Sequence, residues 1–386
     1  MGIGGSDRVQ LAHGEGGLFT RMLETELFLP AFRNQSLAEL GDAGLAWLPA
    51  AAIAGMGAAV RGETRTVVAT SIPAAVAVTT DTFVVSPIQF PGGDLGKLAA
   101  CGTLNDLAVA GARPFALTVG FVLEEGLPFA TLEAIVHSLA AAAQQAGVPV
   151  VAGDTKVVRR GEADQLYINT TGLGYWPYAE AHIPHPGRIQ AGDMVLVSGD
   201  VGRHGVAILA TRAGVGFDTS VTSDVDWIGP EVAAVAEQAG WEAIHAMRDV
   251  TRGGLATVVK ELALAAAAGA GEATTGLAFV LDEASISVDP AVAAAAEWLG
   301  LDPLYLPCEG RWVAVVDASA APLALATLRQ FHPTAAIIGQ VVDAKNNVEG
   351  RCLNEVGQTG EVWLRTPLGS HRRLDLLAGE PQPRIC

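Results

Sequence analysis

The residues of this chain whose types and spacing could do chemistry are acidic residues in short polar segments, three of which contain glycine. Four such clusters occur: His13-Gly-Glu-Gly-Gly17, Thr80-Asp-Thr82, Gly92-Gly-Asp-Leu-Gly-Lys97 and Gly153-Asp-Thr-Lys156. Glycines let backbone N–H groups approach phosphate oxygens, and carboxylates at strand ends can bind Mg²⁺, which prefers oxygen ligands and bridges nucleotide phosphates. Each cluster alone is typical of a turn or a helix cap, but together they predict a nucleotide site.

The common phosphate-binding motifs are missing from the sequence. Within residues 92–97, three residues separate the first glycine from Gly-Lys where a P-loop needs four, and Leu98 follows in place of Ser or Thr. The chain also has no Gly-x-Gly-x-x-Gly in a Rossmann context and no Gly-x-Ser-x-Gly elbow. We therefore expect phosphate binding through another architecture.

Two neighbouring polar residues, Asn105 and Asp106, stand inside a stretch rich in Ala and Leu that the pattern predicts as a helix. A polar side chain buried without a partner is costly, so each of them either faces solvent or meets a partner such as a cation. Asp81 and Asp154 are possible co-ligands for such a cation. A magnesium ion is therefore the interpretation that we favour.

The segment Asp249-Val-Thr-Arg-Gly-Gly254 precedes a long apolar helix. At the start of that helix, Thr251 and the two glycines can present N–H groups to an anion. An ordinary helix cap is the alternative. The positive charge of Arg252 favours a contact with a phosphate or with a second subunit.

The carboxyl-terminal segment, Gly379-Glu-Pro-Gln-Pro-Arg-Ile-Cys386, is the most unusual feature. It is not a prenylation signal, which needs three residues after the cysteine, and Pro381 and Pro383 prevent a regular helix or a central strand. In polyproline geometry, at about 3.1 Å per residue, the seven residues from Glu380 span roughly 20 Å. We predict a semi-extended arm that carries a thiol between the surface and a pocket; a disordered tail is the alternative.

Helix and strand signals alternate along the chain. The first half is predicted to contain strands at 77–85, 115–123, 148–151 and 165–174 and helices at 94–110 and 128–147. The second half is predicted to contain strands at 193–198, 277–281, 312–316 and 335–342 and helices at 204–213, 231–239, 255–270, 292–299 and 322–331. We therefore predict an α/β (α+β) protein with domains at 1–175 and 193–375, a proline-rich linker at 176–192 and a tail at 376–386.

Composition and charge exclude several classes of protein. The 386 residues carry 24 Lys and Arg against 41 Asp and Glu, and the net charge of −17 argues against nucleic-acid binding driven by bulk charge. The one membrane-like stretch, residues 43–60, is rich in Ala and interrupted by Gly44, Pro49 and two further glycines, so no membrane span is predicted. Four widely spaced cysteines indicate neither a disulfide framework nor a zinc site and favour a reducing, cytoplasmic setting.

Six segments together resemble the HypE family of hydrogenase maturation proteins. They are Leu11-Ala-His-Gly-Glu-Gly-Gly17, Pro91-Gly-Gly-Asp-Leu-Gly-Lys-Leu98, Cys101-Gly-Thr-Leu-Asn-Asp106, Gly153-Asp-Thr-Lys-Val-Val158, Asp249-Val-Thr-Arg-Gly-Gly254 and Pro383-Arg-Ile-Cys386. The resemblance covers nearly the whole chain, and the terminal Pro-Arg-Ile-Cys is its specific element. The other segments are shared more loosely with the aminoimidazole-ribonucleotide synthetase and selenophosphate synthetase superfamily. The chain departs from the family in a longer Ala-rich segment around 43–75 and in Arg311, where Lys is commoner.

The resemblance implies two α/β domains and a homodimer in which the amino-terminal sheets pair, with nucleotide sites near that interface. It also implies an enzyme that uses ATP and Mg²⁺ to dehydrate a carbamoyl group on the terminal cysteine to a thiocyanate. The carbamoyltransferase HypF would load the thiol, and cyanide would pass to the iron of a NiFe-hydrogenase held by the HypC–HypD scaffold complex. Because amide oxygen is a poor leaving group, phosphorylation converts its loss into loss of phosphate, while a base removes the amide protons.

Carried over residue by residue, the resemblance implies three sets of site residues. Cys386 would hold the carbamoyl group, while Lys156 and Glu309 would orient it and move its protons. The metal ligands would be Asp81, Asp106 and Asp154. The nucleotide would be contacted by His13, Gly14, Gly16, Gly17, Lys97, Asn105, Thr155, Thr251 and Arg252.

Two other functions remain open at this point. An amide-cyclising synthetase of the purine type or a selenophosphate synthetase shares the nucleotide motifs, although the latter usually has a reactive Cys or selenocysteine near its amino terminus, and here none precedes Cys101. A non-catalytic thiol carrier or scaffold, switched by nucleotide, is the alternative from another class. ATP turnover that depends on a carbamoylated tail would distinguish an enzyme from a carrier.

Overall fold

A computed structural model of the chain describes residues 18–23, 25–26, 44–47, 75–176, 183–212, 220–269, 276–344, 360–378 and 384–386. The predicted nucleotide contacts His13, Gly14, Gly16 and Gly17 lie outside these ranges. A short helix, α1 (Leu18–Leu23), comes first. Within the described ranges, every helix is too short or too polar to cross a lipid bilayer.

The first sheet belongs to the amino-terminal half of the chain. Its described strands are β1 (Gly44–Trp47), β2 (Ala75–Phe83), β5 (Arg113–Glu124), β6 (Val150–Val158) and β7 (Leu166–Tyr175), in the order β1-β2-β7-β5-β6. Strands β5 and β6 are parallel, and the other neighbours are antiparallel. A small hairpin of β3 (Gln89–Phe90) and β4 (Gly93–Asp94) follows β2.

Two helices, α2 (Leu95–Val109) and α3 (Phe129–Gln145), pack on this part of the chain. Helix α2 begins at Asp94, whose carboxylate accepts hydrogen bonds from the N–H groups of Gly96 and Lys97, as an N-cap residue should. A side chain at Gly96 would clash with α3, since an added Cβ would lie 2.0 Å from the carbonyl oxygen of Ile135. Helix α2 is therefore held in a fixed position under β2 and β7, where it supports the predicted site residues.

The opposite face of the first sheet is open. Successive strand residues point to opposite faces, so that Thr170 of β7 is buried while the adjacent Asn169 is exposed. Strand β6 forms an edge, and its Val150, Val151 and Val157 are 44%, 59% and 68% exposed. An apolar edge strand of this kind is a surface that a second chain can cover.

The second sheet has seven described strands in the order β14-β13-β10-β12-β8-β11-β9. These are β8 (Met194–Val197), β9 (Ile244–Asp249), β10 (Leu277–Asp282), β11 (Trp312–Val316), β12 (Ala336–Asp343), β13 (Glu361–Arg365) and β14 (His371–Leu374). The helices of this half are α4 (Arg203–Thr211), α5 (Gly229–Ala239), α6 (Gly254–Gly269), α7 (Pro290–Leu299) and α8 (Ala321–Phe331). Alternate residues of β8 face different layers, because Val195 packs with α6 whereas Leu196 packs with α5 and α8.

The predicted α/β class is confirmed, with local differences. Strand β6 runs from Val150 to Val158, so the Gly153-Asp-Thr-Lys156 segment lies inside a strand and not after one. Six described strands, β1, β3, β4, β9, β13 and β14, are additional to the predicted set. The described part of the proposed linker is packed, since Trp176 is 8% exposed and its indole N–H donates to the carbonyl oxygen of Ala110.

Candidate active site

The last three residues, called here the docked tail (384–386), lie along the chain just after β2. The N–H of Val84 donates to the backbone oxygen of Cys386 at 3.1 Å, and the N–H of Ser86 donates to the carbonyl oxygen of Arg384 at 3.2 Å. The Arg384 Nε donates in return to the carbonyl oxygen of Val84 at 2.9 Å. The docked tail therefore pairs with the first domain in the manner of a short antiparallel strand.

The side chains of the docked tail enter the core of the first domain. Ile385 is 3% exposed and belongs to the same apolar cluster as Phe83 and Leu95, and the half-buried Cys386 packs against that cluster. Arg384 forms an ion pair with Asp164. The thiol of Cys386 is thus held in the body of the molecule.

Arg252 is the positive centre of the groups around the tail. The negative charge at Cys386 is the main cause of a raised pKa at Arg252, with burial opposing it and the charges of Asp81, Glu309 and Asp106 adding to it. Arg252 follows β9 and keeps an exposed surface. The structure thus brings together five residues that the sequence predicted as site residues: Arg252, Cys386, Asp81, Glu309 and Asp106.

Asp81 of β2 and Asp106 of α2 form an acidic pair. Thr103 donates to Oδ2 of Asp81 at 2.7 Å, and Thr79 donates to Oδ2 of Asp106 at 2.7 Å. Burial raises the pKa of Asp81, while hydrogen bonds with Thr103 and Asp106 and the charge of Arg252 act in the opposite direction. Two neighbouring carboxylates stay charged together only when positive charge is nearby.

Asp154 lies away from this pair. In the first sheet, Asp81 is opposite Thr170, and the same row continues through β5 to Gly153 of β6. Asp154 is one residue further along and therefore points to the open face, three strands from β2. Within a single chain Asp154 is therefore separate from Asp81 and Asp106, and the described residues contain no group of three or more acidic, His or Cys side chains placed to hold a metal. A metal site shared by these three carboxylates stays a prediction.

Asp154 instead pairs with Lys156 on the same strand. The Lys156 Nζ lies 2.8 Å from Asp154 Oδ2, and the N–H of Thr155 donates to Asp154 Oδ1 at 2.9 Å. These contacts lower the pKa of Asp154, first through the Lys156 hydrogen bond and then through the Thr155 N–H. The side chains of Asp154 and Lys156 are both more than two-thirds exposed. The nucleotide contact of Thr155 and the catalytic role of Lys156 stay predictions.

Glu309, just before β11, is buried, with 3% of its surface exposed. Its N–H donates to Asp224 Oδ1 at 3.1 Å, but its Oε1 has no hydrogen-bond partner among the described residues. Burial, followed by the charges of Asp249 and Asp224, raises the pKa of Glu309 well above its usual value, and Arg252 opposes the shift. A buried carboxyl with an unpaired oxygen is suited to exchanging a proton with a substrate.

Asn105 connects the two domains. Its Nδ2 donates to the carbonyl oxygens of Asp226 at 3.0 Å and Glu309 at 3.3 Å, and its Oδ1 accepts from the N–H of Ile228 at 3.0 Å. These three contacts use both ends of the amide and hold α2 against the loop that precedes α5. A nucleotide contact by Asn105 stays a prediction.

Lys97 lines a cleft of about 490 Å³. Its Nζ lies 3.6 Å from Asp226 Oδ1, and Trp227, Arg311 and His332 contribute other parts of the wall. Cys386 is absent from this wall as described. The predicted phosphate contact of Lys97 remains a prediction.

The turn before α6 depends on its two glycines. Gly253 and Gly254 have φ values of +76° and +66°, a region that favours glycine, and a Cβ at Gly254 would lie 2.6 Å from the carbonyl oxygen of Leu304. The N–H of Gly254 donates to the carbonyl oxygen of Thr251 at 3.0 Å, so this donor is used within the turn. The turn aims Arg252 at the acidic pair, while the anion contact of Thr251 stays a prediction.

Arg311 braces the loop that carries Glu309. Its Nη2 and Nε donate to Asp200 Oδ1 at 2.9 Å and to the Asp200 carbonyl oxygen at 3.1 Å, and its Nη1 donates to the Gly310 carbonyl oxygen at 2.9 Å. A lysine has a single nitrogen and cannot reproduce this planar set of contacts. The departure of Arg311 from the commoner Lys thus adds structural contacts next to the site.

Some residues that contact the docked tail were not among the predicted site residues. His204 and Arg212, at the two ends of α4, donate to backbone oxygens of the tail, and Ser223 contacts His204. None of them lies in a glycine-rich or acidic motif. A histidine directly before the apolar run of α4 is the one signal that the sequence offers for this set.

Comparisons with known proteins show the family to which the chain belongs. A family model described as AIR synthase related protein, N-terminal domain, matches residues 62–176, and the model for the C-terminal domain matches residues 190–350. Carbamoyl dehydratase HypE of Cupriavidus necator is 42% identical over 383 residues, which cover 99% of this chain and 95% of that protein.

Two solved structures have the same fold. A crystal structure of a HypE–HypF complex matches with a TM-score of 0.74 and 35% identity over 92% of this chain and 99% of that chain. A crystal structure of the hydrogenase maturation protein HypE in complex with ATP matches with a TM-score of 0.72 and 37% identity over 98% of this chain and all of that chain. Since family models match both domains and a curated relative is similar over almost the whole length, the chain belongs to the carbamoyl dehydratase HypE family of AIR synthase related proteins.

Proposed function

We propose that the chain uses ATP to dehydrate a carbamoyl group on the thiol of Cys386, converting an S-carboxamide into an S-cyanide for a NiFe-hydrogenase iron. The observation that carries the proposal is the docked tail, which holds Cys386 beside Arg252 and the acidic groups around it. Relatives named carbamoyl dehydratase HypE support the reaction, and the relative solved with ATP supports ATP as the co-substrate.

The reaction removes oxygen from the carboxamide as phosphate. The carboxamide oxygen attacks the γ-phosphorus of ATP, the bond to the leaving ADP breaks, and the nitrogen loses one proton. The C–O bond then breaks as the second N–H proton leaves and the C≡N bond forms. The net change is S-carboxamide and ATP to S-cyanide, ADP, phosphate and a proton, so no oxidant or reductant is needed.

Glu309 is proposed to take protons from the carboxamide nitrogen. Its Oε1 is a buried acceptor with no partner among the described residues, so a proton can be received without breaking an existing bond. The raised pKa of Glu309, caused first by burial, makes its carboxylate form a strong base. Arg252 moderates that shift and is proposed to hold the oxygen on which negative charge develops.

Asp81 and Asp106 fit a magnesium ion by the type of donor that they offer. Both present carboxylate oxygens, and the hydrogen bond between them is one that a cation can replace. When bound, the metal would neutralise charge on the phosphates of ATP. Asp154 can contribute only from another chain, because it lies on the open face of the first sheet.

A homodimer supplies the residues that a single chain leaves apart. The exposed apolar edge of β6 supports pairing of two amino-terminal sheets, which would cover Val150, Val151 and Val157. Lys156 and Asp154 lie on the same strand and would then face the partner, where Lys156 can orient its carboxamide. These roles are proposals that rest on the exposure of β6.

The proposed partners act before and after the dehydration step. A relative was solved in complex with HypF, which supports a HypF-type carbamoyltransferase as the donor to Cys386. A HypC–HypD-type scaffold is proposed as the acceptor of the cyanide, in the cytoplasm. A nucleotide-switched thiol carrier is the second candidate, since a docked tail alone serves a carrier equally well.

Release of phosphate distinguishes the two candidates. The chain is loaded with a carbamoyl donor system, freed of donor and mixed with ATP and Mg²⁺, and phosphate is followed through one turnover. We expect one phosphate per loaded Cys386 and none from Cys386→Ala or from unloaded protein. Phosphate release that is equal in loaded and unloaded protein would support the carrier.

A further inference from the structure

A buried histidine of the second domain contacts the docked tail. His204, the second residue of α4, is fully buried, and its Nε2 lies 2.8 Å from the carbonyl oxygen of Ile385. Its Nδ1 lies 2.8 Å from Ser223 Oγ, which accepts a hydrogen bond from the N–H of Val225 at 3.1 Å. A carbonyl oxygen only accepts, so Nε2 carries the proton and Ser223 donates to Nδ1.

This network holds the imidazole in one neutral tautomer. Burial lowers the pKa of His204, which agrees with a ring that carries a single proton on Nε2. The Phe90 ring packs edge-on against the imidazole, with 5.4 Å between ring centroids. The donor that faces Ile385 is therefore fixed in both protonation and direction.

The other end of α4 contacts the tail one residue earlier. Arg212, which follows the last residue of the helix, donates from Nη2 to the carbonyl oxygen of Arg384 at 2.8 Å. Its Nε donates to the carbonyl oxygen of Ser86 at 3.0 Å, so it also holds the segment against which the tail pairs. Both backbone carbonyls that precede Cys386 thus accept a hydrogen bond from α4 or its flanking residue.

We propose that α4 is the receptor that positions the tail for dehydration, with His204 and Arg212 as positioning residues. This inference rests on the proposed function of Cys386 as the carrier of the carbamoyl group. The two residues contact backbone oxygens of Arg384 and Ile385, and through them they fix the thiol. Misplacing a reacting group by about 1 Å can cost roughly a hundredfold in rate, so small changes at the receptor reach the chemistry.

The receptor must release the tail before each loading step. In the docked state Ile385 is 3% exposed and Cys386 packs on the core, so a separate carbamoyltransferase cannot surround the sulfur. Weaker contacts with α4 shift the population towards the released tail. Loading should then become faster while dehydration becomes slower, a pair of opposite effects that a general loss of stability does not produce.

The test measures how fast Cys386 reacts with N-ethylmaleimide in the unloaded protein, read from the mass of the terminal peptide. His204→Phe keeps an aromatic ring beside Phe90 but removes the donor, and one lost hydrogen bond should raise the alkylation rate about 3- to 10-fold. His204→Gln offers an amide N–H to Ile385 and should restore the parent rate. His137→Phe, at an exposed histidine of α3 that pairs with Glu133, is the matched control and should not change it.

Two buried cysteines report whether each variant is folded. Cys101 and Cys308 are buried, and burial raises the pKa of both thiols, that of Cys101 to about 12, so neither should react in a folded protein. If Cys101 or Cys308 reacts in His204→Phe, that variant is not folded, and Arg212→Gln is compared with the parent protein instead. Arg212 lies at the half-buried end of the receptor. If Cys386 in the folded variants is alkylated at the parent rate, the proposal that α4 is the receptor of the tail is overturned.

A second measurement follows dehydration of the loaded tail in the same variants. We expect slower dehydration in His204→Phe, with recovery in His204→Gln. Faster alkylation combined with dehydration at the parent rate would overturn the positioning role. Because alkylation uses unloaded protein, the receptor is tested even if the proposed carbamoyl chemistry fails.

Discussion

Replacing Glu309 with glutamine is expected to stabilise the folded protein while it stops dehydration. The carboxyl is buried, its Oε1 has no hydrogen-bond partner among the described residues, and burial raises its pKa well above 4.5. Glutamine keeps the shape of the side chain but never carries a charge. The proposed base is thus a group that costs stability, as groups at functional sites often do.

The size of the effect follows from proton linkage. The raised pKa means that above pH 4.5 the folded protein keeps a proton that the unfolded chain releases. The stabilisation from that proton is fully present below pH 4.5 and is lost at about 1.4 kcal/mol per pH unit until the folded pKa is reached. Each pH unit between 4.5 and the folded pKa therefore favours the variant over the parent by about 1.4 kcal/mol, and burial of the glutamine amide offsets about 1 kcal/mol of the total.

Urea unfolding at pH 4.5, 5.5 and 6.5 measures this difference. The free energies of unfolding of Glu309→Gln and the parent should lie closest at pH 4.5 and separate as the pH rises, with the variant more stable. Glu231→Gln is the control, because Glu231 is also buried but accepts from Trp312 Nε1 at 2.8 Å and pairs with His332 at 2.8 Å, and its loss should destabilise. A free energy of unfolding that is the same for Glu309→Gln and the parent at every pH would refute the reasoning.

Three further substitutions test other parts of the site. Lys156→Ala should leave loading of Cys386 intact and accumulate the carbamoylated tail, seen by intact mass; thiocyanate formed at the parent rate would remove Lys156 from the mechanism. Asp106→Asn should weaken magnesium-dependent phosphate release at least tenfold without unfolding, whereas an unchanged magnesium titration would argue against the acidic pair as ligands. Arg311→Lys should lower the free energy of unfolding by about 1–2 kcal/mol, since it loses charged hydrogen bonds to Asp200, and urea unfolding would contradict this if the two curves coincide.

The regular elements were predictable where residues that favour helix or strand run between turn residues. Helix α2 and strands β2 and β7 follow such patterns, and the structure has them within a few residues of the predicted bounds. Strand β9 was not predictable in this way because it contains His245 and Arg248. These polar residues are accommodated by distant partners, Asp193 at 2.7 Å and Glu261 at 3.3 Å, which a local pattern cannot reveal.

Local motifs indicated which residues belong to the candidate site better than they indicated how those residues are arranged in space. Short motifs identified Cys386, Arg252 and the acidic pair, because each stands in an unusual local segment. The position of Asp154 depends on strand register, where a shift of one residue reverses the face, and the sequence contains no direct record of that register. The contact between His204 and Ile385 joins residues 181 positions apart in the chain and had no motif to indicate it.

The mass of the terminal peptide tests the central claim most directly. The chain is incubated with a carbamoyl donor system and then with ATP and Mg²⁺. The mass of the peptide that ends at Cys386 is measured by mass spectrometry after each step. We predict a gain of one carbamoyl group, followed, only when ATP is present, by loss of the mass of one water as the S-cyanide forms. A carbamoylated peptide whose mass stays constant through complete turnover of the added ATP would contradict the account.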